Sequence, residues 1–239
     1  MNLTEPKEAF PYKPPSENLK QKYSYLFNEN LKFRLPFFKI LFDKILSLFF
    51  LLCTSPVILV LFFLNFIEGV FIKENKGPLF FYYYGISGGK KFKKWKIRII
   101  KNSFVDNNLK KKGDWHAFKN EWKPEARTYL GYIVKKFYLD ELPQFYLIFI
   151  GKMSFVGPRP LAVHHYERDL NNGNITRKIL RGGLLGYGHV RKGTEEFGDP
   201  TYEFEYADFL YKKNSIQILI LDLKIIFKGA SLVLRGGGH

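Results

Sequence analysis

The stretch Ile45-Leu-Ser-Leu-Phe-Phe-Leu-Leu-Cys-Thr-Ser-Pro-Val-Ile-Leu-Val-Leu-Phe-Phe-Leu-Asn-Phe-Ile67 holds no charged residue. Its length, about 23 positions, is enough for a helix to cross a hydrocarbon core of roughly 30 Å. Pro56 lies near the middle, where proline removes one backbone hydrogen bond and bends the helix. Thr54 and Ser55 stand beside it with hydroxyls suited to the freed carbonyls. The flanks decide how such a helix sits. Lys32, Arg34, Lys39 and Lys44 precede the run, and Lys73, Lys76, Lys90, Lys91, Lys93 and Lys94 follow it. Positive flanks mark the cytoplasmic side, and here both are positive. A straight span with a proline kink would put the two flanks on opposite sides. A re-entrant helix that enters, bends at Ser55-Pro56 and leaves on the same side keeps both in the cytoplasm. The run alone leaves both geometries open, and the charge pattern points to the monotopic, re-entrant one.

The rest of the composition agrees with a membrane surface. The chain has 239 residues, enough for one domain with a substantial core. It has 38 Lys plus Arg against 22 acids, a net charge of +16, together with 25 Phe and 15 Tyr. A strongly basic protein suits either nucleic acid or an anionic lipid membrane, and the apolar excess favours the membrane. The single cysteine, Cys53, lies inside the apolar run, so no disulfide forms within the chain and nothing calls for an oxidising compartment. The N-terminus lacks the basic-then-apolar pattern of a secretory signal.

Around the apolar run the chain divides into an irregular, polar arm over 1–30, the membrane helix region 31–72, and a domain over 73–239. The arm holds Pro6, Pro11, Pro14 and Pro15, with Tyr12, Tyr23 and Tyr25 to pack it. Gly77 to Tyr84 predicts a strand, Gly85, Gly88 and Gly89 a turn, and Lys93 to Ile100 the returning strand of a hairpin. Thr128 to Phe137 predicts a helix. Leu142 to Ile150 predicts a short one, capped by Asp140 and with Pro143 in its first turn. A glycine-rich loop follows at Gly182 to Gly193. Phe209 to Leu234 predicts an amphipathic interfacial helix, with Lys212, Lys213, Lys224, Lys228 and Arg235 as its basic residues. The fold class is therefore α+β and mostly helical, with a short β-hairpin.

Several motifs bear chemistry. The adjacent carboxylates Asp140-Glu141 stand in Leu139-Asp-Glu-Leu-Pro-Gln144. They suit a helix cap. Seen alone they suit that cap best; the functional alternative is nucleophilic attack on phosphorus, with the neighbour holding a divalent ion. Arg159 lies between two prolines in Gly157-Pro-Arg-Pro160. It is either a solvated residue of a rigid turn or a planar fork held toward a phosphate. Lys90 to Arg98 has six basic residues around Trp95; most suit a solvated strand face, and beside an apolar insertion lipid headgroups are the natural partner. The pair His164-His165 has no Cys or matching His at ligand spacing, so a metal is not expected there. Gly85-Ile-Ser-Gly-Gly-Lys90 lacks P-loop spacing.

Taken in order, these residues resemble the monotopic phosphoglycosyl transferases, bacterial sugar transferases that begin glycan assembly on polyprenyl phosphate. The resemblance runs from about Phe42 to Leu234. It comprises Phe42-Asp43 and Ser55-Pro56 of the apolar helix, then Gly77-Pro-Leu-Phe80 and Lys96-Ile-Arg98. Leu139 to Gln144, Gly151-Lys-Met-Ser154 and Val156 to Pro160 follow, with Gly183-Leu-Leu-Gly-Tyr187 and Asp222-Leu-Lys-Ile225 last. It implies an enzyme at the cytoplasmic face of the bacterial inner membrane, in the small form without extra transmembrane helices. That enzyme would move a sugar 1-phosphate from a UDP-sugar to polyprenyl (undecaprenyl) phosphate and release UMP. Such a transfer starts exopolysaccharide, capsule, O-antigen or glycoprotein glycans. Asp140 would be the nucleophile, Asp140 and Glu141 would hold Mg²⁺, and Lys96, Arg98, Lys135 and Arg159 would bind phosphate. Nucleic acid is not an expected partner, and a homodimer is left open.

The chain also departs from that family. Lys135 stands where the family has arginine, Leu147 where it has asparagine and Lys152 where it has an acid. Gly182 and Leu185 replace a proline and a threonine, and Ile99-Ile100 replace Ser/Thr-Met. These losses motivate an alternative, a catalytically silent, membrane-anchored homologue that binds or scaffolds.

Overall fold

The structure, a computed structural model, describes residues 12–28, 31, 33 and 35–234. The first eleven residues of the arm, with Pro6 and Pro11, lie outside the described residues, as do Lys32, Arg34 and Arg235.

The apolar run is part of one helix. After the arm helix α1 (Glu17–Lys22), α2 spans Phe37–Phe71 with Pro56 inside it. At about 1.5 Å per residue a 35-residue helix is ~50 Å long, well beyond a bilayer core. Proline at 56 leaves the Leu52 carbonyl without its backbone partner. The Ser55 hydroxyl donates to that oxygen at 2.8 Å, and Thr54 donates to Phe50 O at 2.7 Å. The middle of α2 presents Leu52, Val60, Phe62, Phe63 and Phe66 outward. Among the described residues it is the one helix long and apolar enough to cross a membrane.

Both ends of α2 are tied to the same domain by polar groups. Near its start, Lys39 donates to Asp222 at 2.5 Å and to the Val156 carbonyl at 3.0 Å, and Tyr206 donates to the other Asp222 oxygen at 2.7 Å. Asp43 accepts from the Ser154 hydroxyl and from the Phe155 amide. These groups are all buried, so each needs the partner it has. Near the other end, Asn65 donates to Gly77 O, and Glu68 accepts from the amides of Tyr129 and Leu130.

The hairpin is β1 (Phe80–Ser87) and β2 (Lys90–Ile97), antiparallel, with Ser87 opposite Lys90. The turn is Gly88-Gly89, both in the left-handed region at φ 56° and 69°, as a two-residue hairpin turn requires. Gly85 lies within β1, not in the turn, so β1 runs three residues past the expected Tyr84 and β2 starts three residues before the expected Lys93. Then come α3 (Asn107–Lys112), a 3₁₀ segment Trp115–Trp122, α4 (Tyr129–Lys136) and α5 (Gln144–Phe149). Strand β3 (Ser154–Val156) pairs in parallel with β4 (Gly183–Leu185), across α6 (Val163–Asn171) and α7 (Thr176–Ile179). The expected Phe209 to Leu234 helix is two elements, α8 (Thr201–Lys212) and α9 (Ser215–Leu234). The break is local chemistry. Asn214 takes the amides of Ile216 and Gln217 on its side-chain oxygen and so caps α9.

Two apolar clusters fill the interior. One joins the arm through Leu19, Tyr23 and Leu26 to Phe155, Phe204 and Ile218. The other packs Phe81, Ile97 and Ile99 against Trp115, Phe118 and Leu130. Helix α5 rests on α2, with Phe145 stacked on Phe50 at 4.9 Å and 11° between ring planes. The segment that begins with the acidic pair is therefore seated directly on the long apolar helix.

Candidate active site

Helix α4 starts on Thr128, whose hydroxyl accepts from the Gly131 amide. Gly131 lets α4 sit on β-hairpin backbone: a Cβ there would lie 2.0 Å from the Ile99 carbonyl oxygen. At the far end Tyr138 has φ 56°, the one non-glycine residue in the left-handed region among the described residues. That geometry costs an aromatic residue about 1–2 kcal/mol. It turns the chain abruptly into a single 3₁₀ turn, Leu139–Glu141, which carries both carboxylates.

The expected cap is not formed. Pro143 occupies the position before α5, and no side chain caps that helix. Asp140, 2% exposed, points instead into the interior, where the cations of β2 draw it in. Lys96 donates to Asp140 Oδ2 at 3.0 Å and stands 3.8 Å from Glu141 Oε1. Lys135 lies 3.9 Å from Asp140 Oδ2. Arg159 grips both oxygens of Glu141, with Nη1 at 3.3 Å and Nη2 in closer contact. The second oxygen of Asp140, Oδ1, is buried and has no hydrogen-bond partner among the described residues.

Strand alternation explains the cations. Side chains two apart share a face, so Phe92, Lys94, Lys96 and Arg98 all point inward while Lys91 and Lys93 face solvent. The solvated-face expectation therefore holds for Lys90, Lys91 and Lys93 and fails for the other three. The Gly157-Pro-Arg-Pro160 turn is seated by close backbone approach: a Cβ on Gly157 would meet Arg181 O at 2.4 Å, and one on Gly183 would meet Gly157 N at 2.1 Å. Arg177 donates from Nε to the Arg159 carbonyl at 3.0 Å and fixes the turn from behind.

The charges are strongly perturbed. Burial pushes Glu141 up, but Arg159 first and then Lys96 and Lys94 hold it far below the usual carboxylate range, so it is ionised. Burial opposes the charge on Arg159, and Glu141 outweighs it and raises the guanidinium. Burial likewise lowers Lys96, but Asp140, then Glu121 and Glu141, carry it well above the usual lysine value. Lys94 is held well below that value by burial and then by the Arg159 charge. Tyr83 is pushed up to about 12, chiefly by burial. An open cleft lies over this group, lined by Tyr12, Tyr83, Lys94, Glu121, Trp122 and Arg159 among others.

Of the residues singled out in the sequence, Asp140, Glu141, Lys96, Lys135 and Arg159 come together. Arg98 does not join them. Its guanidinium is committed to Pro78 O, Ile100 O, Asn65 Oδ1 and Asn75 O, which ties the end of α2 to the hairpin. Ser55 and Pro56 lie in the exposed middle of α2. Lys94, Glu121, Tyr83 and Tyr12 were not singled out for the site. The alternation Phe92-x-Lys94-x-Lys96-x-Arg98 could have found Lys94; the others converge from distant segments and leave no local signal.

A buried aspartate and a partly buried glutamate held by cations, seated on an apolar helix long enough to enter a bilayer, define a class of membrane-associated protein. Comparison with known proteins agrees. The chain belongs to the bacterial sugar transferase family, which it matches over residues 34–236. It is 36% identical over 197 residues to the UDP-glucose:undecaprenyl-phosphate glucose-1-phosphate transferase of Klebsiella pneumoniae, covering 80% of this chain and 38% of that protein. It is 31% identical over 168 residues to the UDP-N-acetylgalactosamine-undecaprenyl-phosphate N-acetylgalactosaminephosphotransferase of Aeromonas hydrophila, covering 69% and 37%. With the undecaprenyl-phosphate galactose phosphotransferase of Salmonella typhimurium it shares 29% over 211 residues, covering 84% and 41%. The chain thus spans about two fifths of the length of these relatives.

Proposed function

We propose that this chain transfers a sugar 1-phosphate from a UDP-sugar to undecaprenyl phosphate through a covalent phosphosugar on Asp140. The observation that carries this is Asp140 Oδ1, a buried carboxylate oxygen without a partner beside Lys96. The relatives' names supply the donor and acceptor classes. In the first step Asp140 Oδ1 forms a bond to the donor's β-phosphorus, and the bond from that phosphorus to the bridging oxygen breaks, so UMP leaves with the oxygen. In the second, a terminal oxygen of the lipid phosphate bonds to the same phosphorus and the carboxylate departs, giving a polyprenyl diphosphate sugar and free Asp140. Lys96, Lys135 and Arg159 offset the negative charge on the phosphoryl oxygens. Two adjacent carboxylates present hard oxygen donors of the kind that suit Mg²⁺. Asp140 and Glu141 would hold Mg²⁺, which supplies further charge neutralisation at the diphosphate.

The membrane placement we infer is re-entrant, at the cytoplasmic face of the bacterial inner membrane. Support comes from the two polar anchors, Lys39–Asp222 and Glu68 with the Tyr129 amide, which attach both ends of α2 to one domain. A domain on one side of a membrane then requires both helix ends on that side. Exposed Phe137, Tyr146, Ile150, Ile216, Ile220 and Phe227 add apolar surface suited to the interface.

A panel of UDP-sugars with undecaprenyl phosphate and Mg²⁺ tests the chemistry: UMP release and labelled protein after donor alone are expected, and UDP as product overturns it. No turnover with any donor would favour the silent homologue. Single cysteines at positions 44 and 73, with Cys53 replaced, test the topology. Both should react with an impermeant thiol reagent from the same side; labelling from opposite sides would leave a straight span.

A further inference from the structure

Three of the chain's five histidines gather where the 3₁₀ segment Trp115–Trp122 meets the start of α6. His164 and His165 open α6, and their rings lie 3.7 Å apart, centre to centre. His116 comes from the 3₁₀ segment Trp115–Trp122 and stacks on His164 at 4.1 Å. Asp114 caps that segment, taking the His116 amide and the His116 ring nitrogen Nδ1 on one oxygen, each at 2.9 Å. Whichever ring nitrogen carries the proton, a neutral His116 keeps one nitrogen lone pair for a metal. His164 Nε2 is buried and has no hydrogen-bond partner among the described residues. The ligating atoms of Asp114, His116 and His164 all lie within 4.8 Å of one another.

We propose that Asp114, His116 and His164 bind one divalent transition-metal ion of the zinc type, clamping the 3₁₀ segment to the start of α6. Two imidazoles and a carboxylate suit zinc over magnesium, which prefers oxygen ligands alone. Three protein ligands leave a position for water, and the half-exposed Asp114 and His116 leave a way in. Ligand-to-metal distances near 2 Å ask only for small rotations of side chains already in contact. Sequence spacing hid the site because Asp114 and His116 lie far upstream of the His164-His165 pair. Its place gives it a consequence. Trp115, between two ligands, lines the phosphate cleft, as do Leu161 and Ala162 just before α6. A bound ion would hold these two walls of the cleft in register without touching the carboxylate pair.

The test uses the full chain in detergent micelles, stripped with a chelator and kept in excess Mg²⁺ so that Asp140 and Glu141 do not compete. Zinc alone is titrated by calorimetry, and Co²⁺ in its place is followed by visible ligand-field absorption. One equivalent is expected, with a Co²⁺ spectrum of a low-coordinate nitrogen and oxygen site. His116→Gln and His164→Gln should each lower zinc affinity by at least about 10- to 100-fold, the loss already seen when supporting groups are removed. Should His164→Gln fail to fold, the half-exposed His116→Gln gives the same readout. Asp140→Asn with Glu141→Gln should leave zinc binding unchanged. The proposal is overturned if zinc fails to bind at millimolar concentration, if both histidine variants bind as tightly as the parent, or if the acid-pair variant is the one that loses it.

Discussion

Two buried clusters of carboxylates and cations meet at Arg159, and they are finished differently. Behind the turn, Arg177 gives Nη2 to Glu203 Oε1 at 2.7 Å and Nη1 to Oε2 at 2.9 Å, and also reaches Asp169 at 3.2 Å. Thr176 and Asn174 add bonds to Glu203 Oε2, and the Tyr12 ring lies 4.4 Å over the guanidinium. In front of the turn, Lys96 and Arg159 bond Asp140 Oδ2 and Glu141, and Asp140 Oδ1 is left without a partner under an open cleft. Low dielectric strengthens a complete network and penalises an incomplete one. The closed cluster therefore builds the turn, and the open one leaves under the cleft the oxygen that the proposed attack on phosphorus requires.

The sharpest break of this contrast is Asp140→Asn. It should lower sugar-phosphate transfer by at least about 10³-fold while the protein still folds and binds membranes, as UMP release and vesicle flotation would read. Arg177→Met should do the reverse to the extent that folding allows. It leaves Glu203 and Asp169 buried without their cation, a cost of about 3–5 kcal/mol, visible as a lower urea midpoint. Arg159→Lys keeps the charge and loses the two-pronged grip; a fall in kcat of about 10²-fold is expected, with little change in midpoint. Thr176→Val removes one of several bonds to Glu203 and should cost only ~1.5 kcal/mol in the same unfolding measurement, with transfer retained.

The smallest effect is on acid sensitivity. The folded carboxyl of Glu141 is held far below its unfolded value of about 4.3. Such a group adds its stability fully above the unfolded value and loses it as pH falls toward the folded one. Between pH 5 and 8 Glu141 therefore adds no slope, and below ~4.3 stability declines. Glu141→Gln should flatten that acid limb of the urea midpoint against pH; an unchanged limb would mean the Arg159–Glu141 contact is not formed in solution.

Much of the frame was legible in the residues. A charge-free run of that length can only be a buried or membrane helix, and the Ser55 hydroxyl meets the carbonyl that Pro56 frees. Gly88-Gly89 specifies a tight turn wherever the hairpin boundaries fall. Four things were hidden. Asp140 suits a cap by position, but Pro143 starts α5 and Lys96 draws the carboxylate inward. Arg98 sits in the same motif as Lys96, yet four acceptors from 65 to 100 consume it. Tyr138 bears no sign of a left-handed backbone, because tyrosine has no preference for it. The helix expected from Phe209 to Leu234 is interrupted by one asparagine cap.

The sequence by itself determined that the chain seats an apolar helix beside a strongly basic domain and carries two adjacent acids and a proline-bound arginine. Those are properties of composition and short spacing, which local physics translates directly. Only the tertiary structure decided which cations reach the acids, which acid oxygen stays open, and that both ends of α2 belong to one body. Such choices depend on β2, the 3₁₀ turn and the Gly157 turn converging from distant parts of the chain. Burial then makes each unmatched polar atom costly, so Asp140 Oδ1, the unmatched buried carboxylate oxygen among the described residues, stands out.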